Sequence, residues 1–327
     1  MIKCHVSTIE LTRLIYLNMQ RRFKSSFFNQ FLLVLTITFV PALNISNYPA
    51  LAQDPFRTKE SRDIGKYTET AFETLFFEGD YQTVNKYLSL AEAEETDEPL
   101  VYAIQSALAY TEEDWETLKI YALKTLETAQ KLQEKDPVRG NLYLGVGHFL
   151  DGAYTYEKEG AVGAIQKLQL VFKYFDAAEE SDPNDPELNL IKGYVDLLLA
   201  VNLPFSSPEQ AIARFQKYAA PNYLVERGLA VAYRDLKQYD KALEFANKAL
   251  EIAPDNPEHY YLKGQILRKI GKKQKSIPIL EEALAHFDRA ASKSAQLPEF
   301  IIKPLDREMR QTQEKIDEIK AESASRL

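Results

Sequence analysis

The sequence predicts an all-α protein, an α-solenoid of about six helical hairpins that ends in a C-terminal capping helix. Glycine is scarce, with 12 residues among 327, and the residues that favour helices are abundant. Apolar residues recur at helical spacing from residue 61 onward, and no alternation of apolar and polar residues lasts long enough for a strand. Gly, Pro and Asp break this periodicity into segments of about 12–20 residues. Because short connections make neighbouring helices antiparallel, consecutive segments are expected to pair as hairpins.

The first 52 residues have the features of a secretory signal peptide. A basic region at 21–24 precedes the apolar run FLLVLTITFV at 31–40, and ALAQ supplies the small residues of a cleavage site. The apolar run is too short for a membrane-spanning helix, which needs about 20 residues. We therefore expect export and cleavage after Ala52. An uncleaved N-terminal anchor is the alternative, and Met19 is an alternative start.

Removal of this segment would leave a strongly acidic chain without cysteine. Residues 1–52 hold five Lys or Arg and one acidic residue, so the formal charge would change from −8 to −12. Cys4, the only cysteine, lies in the same segment, which excludes disulfides and thiol chemistry in the mature chain. The acidic balance argues against nucleic acid as the main partner.

Two segments that lie 71 residues apart share one pattern. Residues 182–193 read DPNDPELNLIKG, and residues 253–264 read APDNPEHYYLKG. In each segment a proline ends one helix, and Asp185 or Asn256 caps the next helix just before a second proline. The offset equals two repeats of about 34 residues plus three residues, and the longer turn at 202–208 accommodates the excess. The pattern therefore predicts a joint between stacked hairpins.

Small residues at helical spacing mark the clearest repeat unit, at 223–256. They let two helix backbones approach closely, and a tyrosine fills the space toward the next hairpin; the marker residues are Leu229, Ala230, Tyr233, Ala242, Ala246, Ala249 and Pro254. This spacing resembles the tetratricopeptide repeat (TPR), a helix–turn–helix unit of about 34 residues. The resemblance continues over 257–290, where Gly264 takes the glycine place, and over 186–222, where the turn is longer.

This resemblance implies a TPR-like domain organisation. The hairpins before residue 183 depart further from the pattern, and a general α-solenoid is the alternative there. The final segment has a narrow apolar stripe, which suits a helix that caps the array. The predicted order is a signal peptide at 1–52, a linker at 53–60, degenerate TPR-like hairpins at 61–182, TPR repeats at 183–290 (186–222, 223–256 and 257–290), and the capping helix at 291–327.

The sequence contains no motif of a catalytic or metal site. We find no H-E-x-x-H, no paired cysteines and no phosphate-binding glycine loop, and no G-x-S-x-G. The three histidines after residue 52 (His148, His259 and His286) lie far apart and without a ligand pattern. We therefore predict a protein that is not an enzyme and has no cofactor or metal. An all-helical hydrolase acting on glycan is an alternative, but it would need a carboxylate pair across the inner surface.

In TPR proteins the inner surface of the superhelix usually binds a partner peptide. The resemblance places the binding residues on two helices: Arg227, Arg234, Tyr261, Gln265, Arg268 and Lys269. The bases would make this part of the groove basic, and Tyr261 would be an aromatic anchor. The Lys/Asn/Arg clamp of chaperone-tail TPRs is missing, because Val231 and Gln265 stand where Asn is wanted. We expect a protein or peptide partner, possibly with acidic segments.

The resulting hypothesis is an exported, non-catalytic TPR scaffold, possibly for the assembly of a larger complex. The chain is similar to signal-bearing TPR proteins of cyanobacteria, which implies the periplasm or the thylakoid lumen. The alternative is an envelope-associated structural protein, held by an uncleaved N-terminus or by lipid contact of the basic stretch at 263–275. Membrane contact is not favoured over a protein partner.

Overall fold

A computed structural model describes residues 54–202 and 208–325. This part of the chain contains thirteen α-helices and a 3₁₀ turn, and no strand. The helices are α1 (Lys66–Phe76), α2 (Val84–Glu94), α3 (Pro99–Thr111), α4 (Trp115–Leu132), α5 (Pro137–Glu159), α6 (Ala161–Ser181), α7 (Pro186–Asn202), α8 (Pro208–Lys217), α9 (Asn222–Asp235), α10 (Tyr239–Ile252), α11 (Pro257–Gln274), α12 (Ile277–Ala291) and α13 (Glu299–Ala324).

Consecutive helices pack as six hairpins, α1 with α2 through α11 with α12, and α13 packs on α12. The hairpins also stack, since α4 lies against α5, α8 against α9 and α10 against α11. This arrangement confirms the predicted all-α, TPR-like solenoid. The predicted signal peptide lies outside the described residues, as does most of the turn at 202–208. Within the described residues, no helix combines the length and the apolar character needed to cross a membrane.

Prolines and polar caps start the first helix of several hairpins, as the repeated pattern predicts. Asp185 accepts a hydrogen bond from the backbone N–H of Leu188 at 2.8 Å. Asn256 accepts one from the backbone N–H of Glu258 at 2.7 Å. These side chains satisfy N–H groups that have no partner inside the helix. The segments with the shared pattern therefore are joints between hairpins.

A glycine on the first helix meets a phenylalanine on the second helix in three hairpins. The pairs are Gly145 with Phe175, Gly193 with Phe215, and Gly264 with Phe287. A Cβ atom at Gly264 would lie 2.5 Å from the Phe287 ring and 3.2 Å from the Ala283 carbonyl oxygen. Real Cβ atoms do not come this close to a ring, so hydrogen is the side chain that fits.

The segment predicted as a linker at 53–60 contacts the fold in its described part. Phe56 is buried, and its ring meets the Phe72 ring edge-on at a centroid distance of 5.0 Å. Arg57 forms an ion pair with the buried carboxylate of Asp185. An aromatic side chain and a charge with long-range partners hold the segment on the fold, and its polar composition concealed both.

A buried group of charges joins this N-terminal segment to the starts of α3, α5 and α7. Arg139 donates to Glu98 at 2.8 and 2.9 Å and to Glu187 at 2.9 Å. Burial alone would lower the pKa of Arg139, but the two carboxylates raise it well above its usual value. Arg62 adds an ion pair with Asp136 at 2.6 Å. The guanidinium groups thus offset the carboxylates that gather at three helix starts.

The first hairpin contacts the first helices of the later hairpins. Apolar side chains of α1 enclose a cavity of about 70 Å³ together with residues of α3, α5 and α7. Beyond α1, the Phe77 ring lies 4.8 Å from the Tyr223 ring on α9. The Tyr81 hydroxyl donates to Glu258 on α11 at 3.1 Å, and the Tyr81 ring meets Phe300 on α13 at 5.8 Å. The N-terminal hairpin therefore reaches the C-terminal end of the array.

Candidate functional site

A polar pocket of about 260 Å³ lies between α9, α11 and α13. All six residues predicted to bind a partner line it: Arg227, Arg234, Tyr261, Gln265, Arg268 and Lys269. Two are seven residues apart on α9, and four follow one face of α11 at helical spacing. The structure therefore brings the predicted residues together, while their role in binding stays a prediction.

The pocket is less open and less basic than the sequence predicts. Arg227 is 2% exposed, and its Nη2 lies 2.9 Å from Oε2 of Glu258. Tyr81 covers the same carboxylate, and burial raises the pKa of Glu258 to about 7, although Arg227 and Tyr81 act to lower it. The structure therefore buries Arg227 at this end of the groove, and its role in partner binding stays a prediction.

At the other end, the C-terminal helix places a carboxylate among the predicted residues. Glu308 accepts hydrogen bonds from the Tyr261 hydroxyl at 3.2 Å, from Gln265 Nε2 at 3.0 Å and from Arg268 Nη1 at 3.5 Å. Gln311 Oε1 accepts from Arg268 Nη2 at 2.6 Å. Burial and the neighbouring Glu308 raise the pKa of Tyr261, so its hydroxyl remains a donor.

Sequence reasoning missed Glu308, because α13 was expected to be only a solvating cap. Its apolar stripe does pack on the array: Leu305, Ile316 and Ile319 are buried. Glu308 lies one helical turn after Leu305 and one turn before the buried Thr312. A carboxylate at that spacing borders the packed face of the helix, and this is the signal in the sequence that could have placed it in the pocket.

Two cationic groups of the pocket, Lys269 and Arg268, can still form an ion pair or a hydrogen bond, whereas Arg234 already has partners. Arg234 forms an ion pair with Asp235 at 2.9 Å and donates to Gln265. Lys269 is exposed and forms no ion pair within residues 54–202 and 208–325. Arg268 is 7% exposed, and its buried Nε has no hydrogen-bond partner there either. The pocket therefore offers an anionic group the guanidinium of Arg268 and the exposed cation of Lys269.

Two carboxylates of the pocket are held in ion pairs. Glu258 is held by Arg227, and Glu308 by Arg268. His148 and His259 lie elsewhere, and burial lowers the pKa of each imidazole. The described residues contain no group of His, Cys, Asp and Glu side chains that could hold a metal ion. What this geometry supports chemically is the binding of a polar or anionic group.

Comparison with protein families identifies the region that builds the pocket. Residues 222–289 match the family model described as tetratricopeptide repeat. The match covers the predicted repeat at 223–256 and all but the last residue of the repeat at 257–290, and it includes α9 to α11 and most of α12. It confirms the TPR resemblance predicted from the spacing of small residues. A comparison with curated proteins found no match.

Proposed function

From these tetratricopeptide repeats, we propose that the protein is an exported, non-catalytic scaffold that binds an acidic segment of a protein partner between α9, α11 and α13. Repeats of this family generally mediate protein interactions without catalysis of their own. The observation that carries the proposal is the convergence of six predicted residues on one pocket. Export to the periplasm or thylakoid lumen rests on the signal-like N-terminus.

The two available cationic groups differ in what they contribute. An ion pair of exposed Lys269 with a partner carboxylate is worth about 0.2–1 kcal/mol, because water and salt screen it. A charge-assisted hydrogen bond between a partner carboxylate and the guanidinium of Arg268, which lines the pocket, is worth about 1.5–3 kcal/mol. Arg268 is therefore the anchor for the partner, and Lys269 guides its approach.

The test compares the partners retained by single-residue variants of the full chain. Wild type and Lys269→Glu are immobilised and incubated with envelope extract, and retained proteins are identified by mass spectrometry. Lys86→Glu on α2 is the matched control, since Lys86 is also exposed and outside the pocket. Wild type and the control should retain equal amounts of a partner with an acidic segment, and Lys269→Glu should retain several-fold less, because it replaces an attraction with a repulsion. Equal retention by all three chains would refute the proposed site.

Arg268→Glu is unsuitable for this test, because the structure gives Arg268 a second role. Its guanidinium is buried and binds Glu308 and Gln311 on α13. A glutamate there would face Glu308 and disturb the attachment of the helix, so lost binding would not report on the pocket.

A second candidate function is association with an anionic lipid surface through the basic end of α11. Lys269 and Lys273 are exposed there, and burial together with Arg268 and Lys269 lowers the pKa of Lys272. The contribution of Arg268 and Lys269 to this shift shows that the positive charges lie close together. Flotation of the full chain with phosphatidylglycerol vesicles tests it: the protein should float with these vesicles and not with phosphatidylcholine vesicles. Equal behaviour with both would exclude this candidate.

A further inference from the structure

We propose that Glu308 is an internal stand-in for a carboxylate of the partner. In the unbound protein its side chain occupies the carboxylate subsite formed by Tyr261, Gln265 and Arg268, and it rotates out when the partner's carboxylate enters. The inference rests on the proposed function and adds how that same pocket is regulated and which chemical group it recognises.

The donor set around Glu308 is suited to a carboxylate. It consists of a hydroxyl, a primary amide and a guanidinium, which come from one face of α11 and point at the same two oxygens. Each group can donate without changing its protonation. A ligand side chain that ends in a carboxylate would find the same three donors in place once Glu308 had left.

Glu308 satisfies this subsite incompletely. Its distance to Arg268 Nη1 is 3.5 Å, which is long for a charge-assisted hydrogen bond, normally about 2.7–2.9 Å. The buried Nε of Arg268 has no hydrogen-bond partner in the described part of the chain, and the pocket that Arg268 lines has a volume of about 260 Å³. A carboxylate that enters through this space can approach Arg268 more closely than one fixed on α13, and this difference favours the exchange.

The exchange requires rotation of one side chain and leaves the helix in place. Ile301, Leu305, Ile316 and Ile319 anchor α13, and none is more than 6% exposed. Releasing α13 would expose all four aliphatic side chains to water. Rotating Glu308 exposes none of them, and its side chain is already 17% exposed. The smaller movement is therefore the one that opens the subsite.

The need of the buried Arg268 for a counter-charge makes this exchange selective for carboxylates. When a partner carboxylate replaces Glu308, the buried guanidinium of Arg268 keeps one carboxylate neighbour throughout. A neutral side chain that displaced Glu308 would leave the Arg268 cation buried without a counter-charge, which is strongly unfavourable. The pocket should therefore accept glutamate or aspartate side chains and reject glutamine.

The test measures binding of a fluorescein-labelled, N-acetylated hexaglutamate peptide to the full chain by fluorescence anisotropy. Glu308→Gln removes the competing charge with little change in shape, and Glu308→Ala removes the side chain beyond Cβ. Glu314→Gln is the matched control, because Glu314 is an exposed glutamate on the same helix. We expect Glu308→Gln to bind about tenfold more tightly than wild type. Glu314→Gln should bind as wild type does, and a hexaglutamine peptide should bind to none of the chains.

Double variants test whether the peptide binds in the pocket. One combines Lys269→Glu with Glu308→Gln, and the control combines Lys86→Glu with Glu308→Gln. The pocket substitution should abolish the gain, and the control substitution should preserve it. Circular dichroism of each variant checks that the helices are intact, and Glu308→Ala must show the same gain as Glu308→Gln.

Two results would overturn the inference, and they have different meanings. If wild type binds hexaglutamate and Glu308→Gln binds no more tightly than Glu314→Gln, Glu308 is not a competitor, and the proposed function stands without it. If no chain binds the peptide, both the stand-in and the acidic-segment scaffold are wrong.

Discussion

The contact between Gly264 and Phe287 allows a quantitative test of how the repeats pack. In Gly264→Ala, the new methyl group would lie 2.5 Å from the Phe287 ring, so the ring or the helix must move. Overpacking of this kind costs about 1–3 kcal/mol. Alanine in place of glycine inside a helix stabilises the fold by about 0.5–1 kcal/mol, which offsets part of this cost. We therefore expect Gly264→Ala to lower the free energy of unfolding by up to about 2 kcal/mol.

A double-mutant cycle separates the contact from the helix propensity. Phe287→Leu replaces the ring with a smaller side chain, so the methyl group at 264 gains space when both substitutions are present. The double mutant should then be less destabilised than the sum of the single mutants, by about 1 kcal/mol or more, as residues in contact typically show. Urea unfolding followed by circular dichroism gives the four free energies.

Gly152→Ala is the matched control for this cycle. Gly152 lies inside α5, and a Cβ there would lie 3.1 Å from Lys167 Cβ, which is a looser approach than the 2.5 Å at Gly264. We expect Gly152→Ala to cost less stability than Gly264→Ala, because the neighbouring atoms need to move less. If Gly264→Ala matched that control, and if the effects of Gly264→Ala and Phe287→Leu simply added, the glycine would not mark a close contact between the two helices.

Three further predictions concern the charge cluster, the core histidine and the N-terminus. Arg139→Met leaves two buried carboxylates without their cation and should cost about 3–5 kcal/mol in urea unfolding, more than any single substitution of an exposed lysine. His259 is neutral in the fold, because burial and Arg227 lower its pKa well below the usual value. The unfolded state then binds more protons, so this residue should remove about 2 kcal/mol of stability between pH 7 and pH 5. His259→Leu should not lose this stability between pH 7 and pH 5. Identical pH profiles of the free energy of unfolding for wild type and His259→Leu would contradict the prediction. N-terminal sequencing of the protein from its native cells should begin at Gln53, and an intact N-terminus would favour the anchor instead.

The spacing of small residues predicts the repeats, and the resemblance to the TPR then implies which residues line the groove. Close packing of helices requires small residues at fixed spacing, and this spacing sets the register of each repeat. Once Gly264 is placed, Tyr261, Gln265, Arg268 and Lys269 follow on one face of α11. The structure gathers them in a single pocket with the two arginines of α9.

The sequence does not reveal which residues contact each other when they lie far apart in the chain. Periodicity describes how a segment packs on its neighbours, and Glu308 lies 40 residues from Arg268 in the chain. Likewise, nothing local shows that Arg57 finds Asp185, 128 residues away. Both misses have one origin: the ends of the chain fold back on the array and offset charges that appear uncompensated in the sequence.

The hydrogen bond between Tyr81 and Glu258 spans 177 residues of chain and affects how the protein folds. In most solenoids each repeat contacts only its neighbours, so repeats can form and fray one at a time. Here the first hairpin completes its contacts only after α11 and α13 exist. The first hairpin therefore completes its packing only after the C-terminal helices are made, and loss of either end should destabilise both ends together. The array is thus expected to unfold as a single cooperative unit.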